Sequence, residues 1–510
     1  MRERFDVLVV GAGSAGCVVA SRLSEDAACS VGLIEAGGMP EDPDIADPAK
    51  WTALPGRAFD WAYRTVPQPF TANRVHDWPR GRLVGGSSCL HAMAYVRGHP
   101  SDFEPWRAAG GDRWSYEGLL AGFRRSEAVI DAATGSREGD GPLDVYLPTE
   151  QVNPVVRAYM AAGNALGVPR IESHNGPELI GTCANALNIR KGRRLSLADA
   201  YLPDEVLQRP NLTLLTDHLV ERIVVDGSRA RALEVIAGDR RQQFHADRVV
   251  LCAGAIESPL LLMRSGIGNK DVLSDVGIDV TVERNGVGAN LQDHLLVMGN
   301  VYRSARKIPP SRLQHSESLM YLDSTDLTAT SGRPDIVLAC VVAPSAAEGF
   351  HIPEYGQAFT ILCGITHPTS RGRILPSGPR LSDPPIIDPE YLSSEQDRAT
   401  LRAALRTART VGAHPALSEW RDAEVLPGPQ KFSDVDLDAF IAQTVSTHHH
   451  PAGTCRMGNE DDAVVDAELR LKGLQNLFVV DASVMPILPS GPINASTVAL
   501  AETWSALDPK

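Results

Sequence analysis

Apolar positions along the chain gather into short runs bounded by turn residues. Phe5-Asp6-Val7-Leu8-Val9-Val10 is β-branched and nearly continuous, the pattern of a parallel strand buried on both faces. Gly11-Ala12-Gly13-Ser14-Ala15-Gly16 follows at once, and Cys17 to Leu23 reads as a helix of small and apolar residues. A second apolar strand, Val31-Gly32-Leu33-Ile34, ends in Glu35. Farther on, Leu295 to Tyr302, Ser318 to Leu322, Ile336 to Val342 and Ala358 to Ile365 read as short strands between turns, and Leu477 to Val480 as a buried strand.

The order strand, G-x-G-x-x-G, helix, strand, terminal acid gives the first run a chemical meaning. Free N–H groups and the dipole at the helix N-terminus attract a pyrophosphate, and Gly13 lets the backbone approach it. Glu35, about twenty residues beyond the glycines, stands where an acid accepts ribose hydroxyls and repels a 2′-phosphate. This leaves FAD or NAD, which the motif alone does not separate.

A chain of 510 residues can bury a large core and suggests two domains. Apolar residues at 43% and charged residues at 22% are globular values, with no mark of disorder or coiled coil. A net charge of -14 has the wrong sign for phosphate backbones or anionic lipid, so neither nucleic acid nor membrane is an expected partner. No apolar run reaches the ~20 residues of a membrane helix. Neither the start of the chain nor Asp508-Pro509-Lys510 carries a recognisable address. The eight cysteines are scattered without a C-x-x-C pair, which predicts free thiols and a cytoplasmic protein.

A second glycine-rich turn, Gly81-Arg82-Leu83-Val84-Gly85-Gly86-Ser87-Ser88-Cys89-Leu90-His91, continues to Tyr95 and Gly98. With Gly254-Ala255-Ile256-Glu257-Ser258-Pro259 through Gly268, it resembles the paired signatures of the glucose–methanol–choline (GMC) oxidoreductases. Gly288-Ala289-Asn290-Leu291-Gln292-Asp293-His294, the segment Ser370 to Tyr391, His450-Pro451-Ala452-Gly453-Thr454 and Leu477 to Ser483 extend the resemblance over nearly the whole chain.

The resemblance implies an α/β fold: a Rossmann-like FAD-binding domain with an α+β substrate domain containing an antiparallel sheet. The FAD domain is then discontinuous, 1–157, 201–296 and 445–510, and the substrate domain comprises 158–200 and 297–444. It also implies that Arg82, Val84, Gly85, Gly86, Ser88, His91, Ala92, Met93 and Ala94 pass along the isoalloxazine and that Val220 pairs its backbone with the adenine. Gly11, Gly13, Ser14, Ala15, Gly16, Glu35, Ala36, Cys252, Ala253, Gly254, Ser258, Asp481, Ala482, Pro492, Ile493 and Asn494 complete the cofactor set. Asp481 also reads as a helix cap at a strand end. Relatives that tether FAD do so through a histidine in the turn after Ser87-Ser88. The equivalent position here reads as Cys89, so FAD is expected to be non-covalent, and His91 is expected to position backbone.

Removing hydride from an alcohol carbon is easier once the hydroxyl proton leaves, so a base is needed beside flavin N5. Histidine is largely neutral near pH 7 and suits the role; by resemblance it is His450. Three adjacent histidines, 448 to 450, invite a metal. In an extended chain, however, neighbours point to opposite faces, so no metal is expected, and His448 and His450 share a face while His449 points elsewhere. His448 then serves either structure or substrate. Many members carry a second His or Asn where Pro492 stands, and proline has neither a donor side chain nor an N–H.

This histidine spacing with Pro492 resembles the branch of the family that oxidises the vitamin B6 alcohol pyridoxine to pyridoxal, with O2 going to H2O2. A flat pyridine can pack on Pro492. Choline, aryl alcohols and hydroxymethylfurfural-type compounds remain alternatives, with O2 or another acceptor, as does a hydroxynitrile lyase on the same fold. A protonated His450 near the flavin favours oxygen as acceptor. A monomer is the expected state.

Overall fold

The computed structural model describes residues 2–148 and 151–507; Met1 and Asp508 to Lys510, weighed above for addressing signals, lie outside them. The N-terminal run forms the strand Arg4–Val10, whose Val7, Leu8 and Val9 are wholly buried, followed by the helix Ser14–Leu23 and the strand Val31–Ile34. These strands are parallel, with Leu212–Leu215 outside Val31–Ile34 and Arg240–Leu251 on the other side of Arg4–Val10. Leu477–Val479 adds a further parallel strand against the end of Arg240–Leu251. The start of Arg240–Leu251 instead pairs antiparallel with Arg229–Ala237, which pairs with His218–Asp226. The result is a seven-stranded nucleotide-type sheet whose strand ends deliver the glycine turn and Glu35 to one edge.

Two turns close on one another at that edge. Gly85 N–H donates to the Ala12 carbonyl at 2.7 Å, and a Cβ on Gly86, whose φ is +53°, would lie 2.6 Å from the Gly13 Cα. A Cβ on Gly16 would strike the Gly11 carbonyl oxygen at 1.8 Å, so glycine there lets the helix pack down on its own turn.

The second sheet has eight strands, ordered Arg421–Leu426, Val301–Ser304, Ala358–Ile365, Ile336–Val341, Ser316–Leu322, Gly181–Ala184, with Leu295–Val297 and Val445–Thr447 paired to each other beside Ala358–Ile365. It is antiparallel throughout. The expected single strand from Leu295 to Tyr302 is two, because Gly299 at φ +113° breaks the run. The first piece pairs with 363–365 and 445–447, and the second with 358–360 and 421–426. Leu295, Leu296 and Val445–Thr447, which fall within the expected FAD-domain segments, are therefore strands of this sheet together with Val297. Leu296, Leu319, Val337, Ala339, Val341 and Leu362 form a separate apolar cluster on it. Among the described residues no disulfide joins the eight cysteines, and no helix is long and apolar enough to cross a membrane.

Burial sets the acid stability. It pushes His76, His174 and His294 down to about 4 and His91, His448 and His449 down to about 3. Their neutral forms suit the fold above the unfolded value near 6.5, and this contribution is lost as pH falls toward the folded values. Glu35, raised to about 7, and Asp293, raised to about 6, act with the opposite sign, favouring the fold as pH falls below those values. The histidines outnumber them. The melting temperature is therefore expected to fall between pH 6.5 and 4, above the range where most carboxylates titrate; scanning calorimetry showing a flat or rising value there would contradict this balance.

Candidate active site

A cavity of about 800 Å³ runs from the glycine turn to the antiparallel sheet. At its nucleotide end three helices begin: Ser14–Leu23, Gly254–Arg264 and Asn494–Leu507. Ser14 Oγ donates to Asn494 Oδ1 at 2.8 Å, tying two of them. Asp481 ties the third, because its Oδ2 accepts from Gly254 N–H at 2.9 Å and Ser258 Oγ at 2.6 Å. Its Oδ1 accepts from Ser483 N–H, so the capping role and the place on the cavity wall coexist in one residue. The positive ends of three helix dipoles favour a pyrophosphate.

The residues fit FAD on four counts. A Cβ at Gly13 would meet nothing within 4 Å, so the turn opens onto room for phosphates. The register of His218–Asp226 slips between Val220 and Arg222, which frees peptide groups beside Val220 for an adenine edge. Asn494 Nδ2, His218 Nε2, His91 Nε2, Arg80 Nε and Asn185 Oδ1 belong to residues of the wall and are buried without partners in the protein, as polar atoms facing a polar cofactor would be. Glu35 accepts from Ala12 N–H at 2.8 Å and Gly37 N–H at 3.0 Å, one on each carboxylate oxygen, which leaves lone pairs for ribose.

At the other end stand the histidines. His448 and His450 lie with ring centroids 4.4 Å apart, and His294 is 5.1 Å from His450 and nearly perpendicular to it. The Nδ1 atoms of His294 and His450 are 2.9 Å apart, and His294 Nε2 is 2.8 Å from the Thr366 carbonyl oxygen. Asp293 anchors the segment: its Oδ1 accepts from His450 N–H at 2.8 Å, and its Oδ2 accepts from Thr447 Oγ1 and the Tyr391 hydroxyl. Trp78 Nε1 donates to that hydroxyl at 3.0 Å. Burial, then His448 and His294, holds His450 well below the usual histidine value, so it is neutral at pH 7.

Simple strand alternation does not produce this pairing. The strand stops at Thr447, and His449 has φ +65°, its N–H donating to Thr447 Oγ1 at 2.8 Å and its carbonyl accepting from Arg80 at 2.9 Å. A left-handed turn thus folds His450 back toward His448, and His449 also lines the cavity instead of facing away. Three histidines do converge, because His294 supplies the third ring, and ligand-capable nitrogens of His294, His448 and His450 lie within 4.8 Å of one another.

Most of the predicted set meets at this wall: Gly11, Gly13, Ser14, Ala15, Glu35, Ala36, Gly86, His91 to Ala94, Val220, Cys252 to Gly254, Asp481, Ala482, Pro492 to Asn494, His448 and His450. Gly16, Arg82, Val84, Gly85, Ser88 and Ser258 do not line it. Ser88 Oγ donates to the Gly85 carbonyl and accepts from Leu197 N–H, and Arg82 lies over the Trp61 ring, so these residues brace the turn from behind. Cys89 is fully buried, 3.5 Å from the Val84 carbonyl oxygen and off the cavity wall. His91 Nδ1 accepts from Met93 N–H at 3.1 Å, which holds Met93 in its left-handed conformation. Sequence reasoning missed His294, Asp293, Asn185 and Arg80. The Asp293-His294 pair stands in a motif that carries the family resemblance, with no chemical role assigned to it from sequence.

A family model described as GMC oxidoreductase matches residues 5–296, and its C-terminal counterpart matches 368–501. The chain is 50% identical to pyridoxine 4-oxidase of Microbacterium luteolum, covering 98% of this chain and 99% of that one. It is 36% identical to an oxygen-dependent choline dehydrogenase of Pseudomonas entomophila, covering 99% and 94%. Among solved structures, pyridoxine 4-oxidase from Mesorbium loti superposes with a TM-score of 0.96 at 52% identity, covering 98% of each chain. The chain belongs to the GMC oxidoreductase family, the FAD-dependent alcohol oxidoreductases.

Proposed function

We propose that this protein oxidises the 4-hydroxymethyl group of pyridoxine to the aldehyde and passes the electrons to oxygen, with His450 as base. The observation that carries the reading is a neutral His450, paired with His448, on the wall of one cavity with Pro492 and the nucleotide cradle. The 50% identity to a pyridoxine 4-oxidase supports the substrate. The lining chemistry supports it too. Among the described lining residues the carboxylates are Glu35, Glu257 and Asp481; Glu35 and Asp481 are committed to the nucleotide turns and Glu257 to Arg264. The apolar floor of Leu296, Leu319, Ala339, Val341 and Leu362 gives a flat ring contact, and with those carboxylates committed elsewhere it offers a quaternary ammonium no counter-charge.

FAD would supply the two-electron acceptor when bound, held by the turn at Gly11 to Ala15, by Val220, by Asp481 and Ala482 and by Pro492 to Asn494. His450 takes the alcohol proton as the C–H bond weakens. His448, also neutral, offers a hydrogen-bonding edge to the ring substituents, while Pro492 contributes contact and no hydrogen. In this reading 1–157, 201–296 and 445–510 carry the cofactor, with Leu295, Leu296 and Val445–Thr447 reaching into the substrate sheet, and 158–200 and 297–444 carry the substrate. The histidine cluster serves as base and binding edge without a metal. Eight cysteines with no disulfide among the described residues suit a reducing cytoplasm, and the chain acts as a monomer.

In anaerobic mixing, pyridoxine is expected to bleach the flavin absorbance, whereas choline, benzyl alcohol and glucose leave it standing; fast bleaching by choline instead would reassign the substrate. His450→Ala is expected to retain FAD and to be reduced on the order of 10²-fold more slowly, and full-speed reduction would remove this residue from the chemistry. Because the active form of His450 is the neutral one and its pKa is depressed, the reduction rate is expected to stay flat from pH 8 down to 6.5, with its acid limb below that value. An acid limb above pH 7 in stopped-flow measurements would contradict the depressed value. Prolonged dialysis against EDTA is expected to leave the reduction rate unchanged, and a loss restored by added metal would turn the histidine cluster into a metal site.

A further inference from the structure

Which nitrogen of His450 faces the alcohol matters as much as its charge, since a neutral imidazole has one lone-pair nitrogen and one N–H. Hydrogen-bond chemistry decides this from the Thr366 end. His294 Nε2 lies 2.8 Å from the Thr366 carbonyl oxygen, which has no hydrogen to give, so Nε2 carries the proton. Burial keeps His294 neutral, leaving its Nδ1 bare. That bare Nδ1 is 2.9 Å from Nδ1 of His450, and the hydrogen between them therefore belongs to His450. His450 is left with its lone pair on Nε2.

We propose that His294, held by the Thr366 carbonyl, is a positioning residue that locks His450 in the Nδ1–H tautomer and so keeps Nε2 available as the base. The inference rests on the reading of His450 as base and adds how that base is prepared. The sheet builds the lock. Leu295 pairs with Ile365 on one side and Thr447 on the other, so His294 and Thr366 stand at adjacent strand ends, and His448 N–H donates to the His294 carbonyl at 2.8 Å. Thr366 is fixed in turn: its N–H donates to the Asp335 carbonyl at 3.0 Å and its hydroxyl to the Pro334 carbonyl at 2.6 Å.

The proton step balances within this pair. The alcohol O–H bond breaks with its electron pair left on oxygen, and the Nε2 lone pair forms the new N–H bond. The resulting imidazolium still donates from Nδ1 to a neutral His294, a charge-assisted bond stronger than the one it replaces. The relay ends there, because the Thr366 carbonyl passes no proton onward. The proton leaves His450 only by the nitrogen through which it arrived.

Two substitutions separate locking from packing. Asparagine at 294 can set its Oδ1 near the place of Nδ1 and accept from His450, whereas phenylalanine keeps the ring volume and accepts nothing. His294→Phe holoenzyme is expected to be reduced by pyridoxine about 10²-fold more slowly in anaerobic stopped flow, and His294→Asn to recover to within about tenfold of the unsubstituted rate. Nitrogen NMR of the 15N-histidine-labelled holoenzyme, assigned by difference against His450→Ala, is expected to show His450 protonated at Nδ1 in the unsubstituted and His294→Asn proteins and mixed between nitrogens in His294→Phe. Wild-type reduction by His294→Phe, or equal slowing of both variants with the tautomer unchanged, would overturn the lock while leaving His450 as base. Full-speed reduction by His450→Ala would overturn both.

Discussion

The three-residue strand Leu295–Val297, clasped between Ala358–Ile365 and Val445–Thr447, is the constraint on which the chemistry depends. Its N-terminal end carries Asp293 and His294, and the strand beside it runs directly into His448 to His450. Each backbone pairing therefore fixes a side chain: register on one side places Thr366 under His294, and register on the other places His450 above Asp293. A slip of one residue in either ladder would turn these side chains to the opposite face. The catalytic geometry is thus a property of sheet pairing between segments some 150 residues apart.

Around that clasp the electrostatics are arranged to keep charge out until the reaction makes it. Asp293 is fully buried, and its two oxygens are met by a backbone N–H and two hydroxyls, with Arg80 lowering the cost of its charge. Desolvation still pushes it up to about 6, so at neutral pH the carboxylate survives on those donors. The three histidines nearby are neutral for the same reason. Burial that would be a penalty for a structural ion pair is useful here, because an uncharged imidazole is the form that accepts a proton.

The nucleotide half was legible because its chemistry is local: strand, glycine turn, helix and acid follow one another within 35 residues, and the physical demand at each position selects few residue types. Gly16 and Gly85 also answer to crowding within the protein, by the Gly11 carbonyl and the Cys89 sulfur. The histidine end was legible only halfway. His450 stood out through its motif, but the strand alternation used to orient it assumed an extended chain, and the left-handed turn at His449 is written in no local pattern. His294 could not be read as a catalytic neighbour from sequence, because what brings it to His450 is a ladder between residues 295–297 and 445–447. Gly299 carried a usable signal: a glycine within an apolar run marks a break in a strand as readily as a member of it.

The depressed value of His450 also bears on when the proton moves. A primary alcohol is far less acidic than any imidazolium, and lowering the imidazole further makes it a weaker base still, so a resting alkoxide beside His450 would be strongly uphill. The balance changes only as the C–H bond stretches, because the carbon then moves toward a carbonyl whose protonated oxygen is a strong acid. Proton loss is therefore most favourable when it accompanies C–H cleavage, and a base of low pKa serves well there provided its lone pair already faces the oxygen. Orientation then matters more than intrinsic basicity, which is the property that the clasped strands and the His294 ring control.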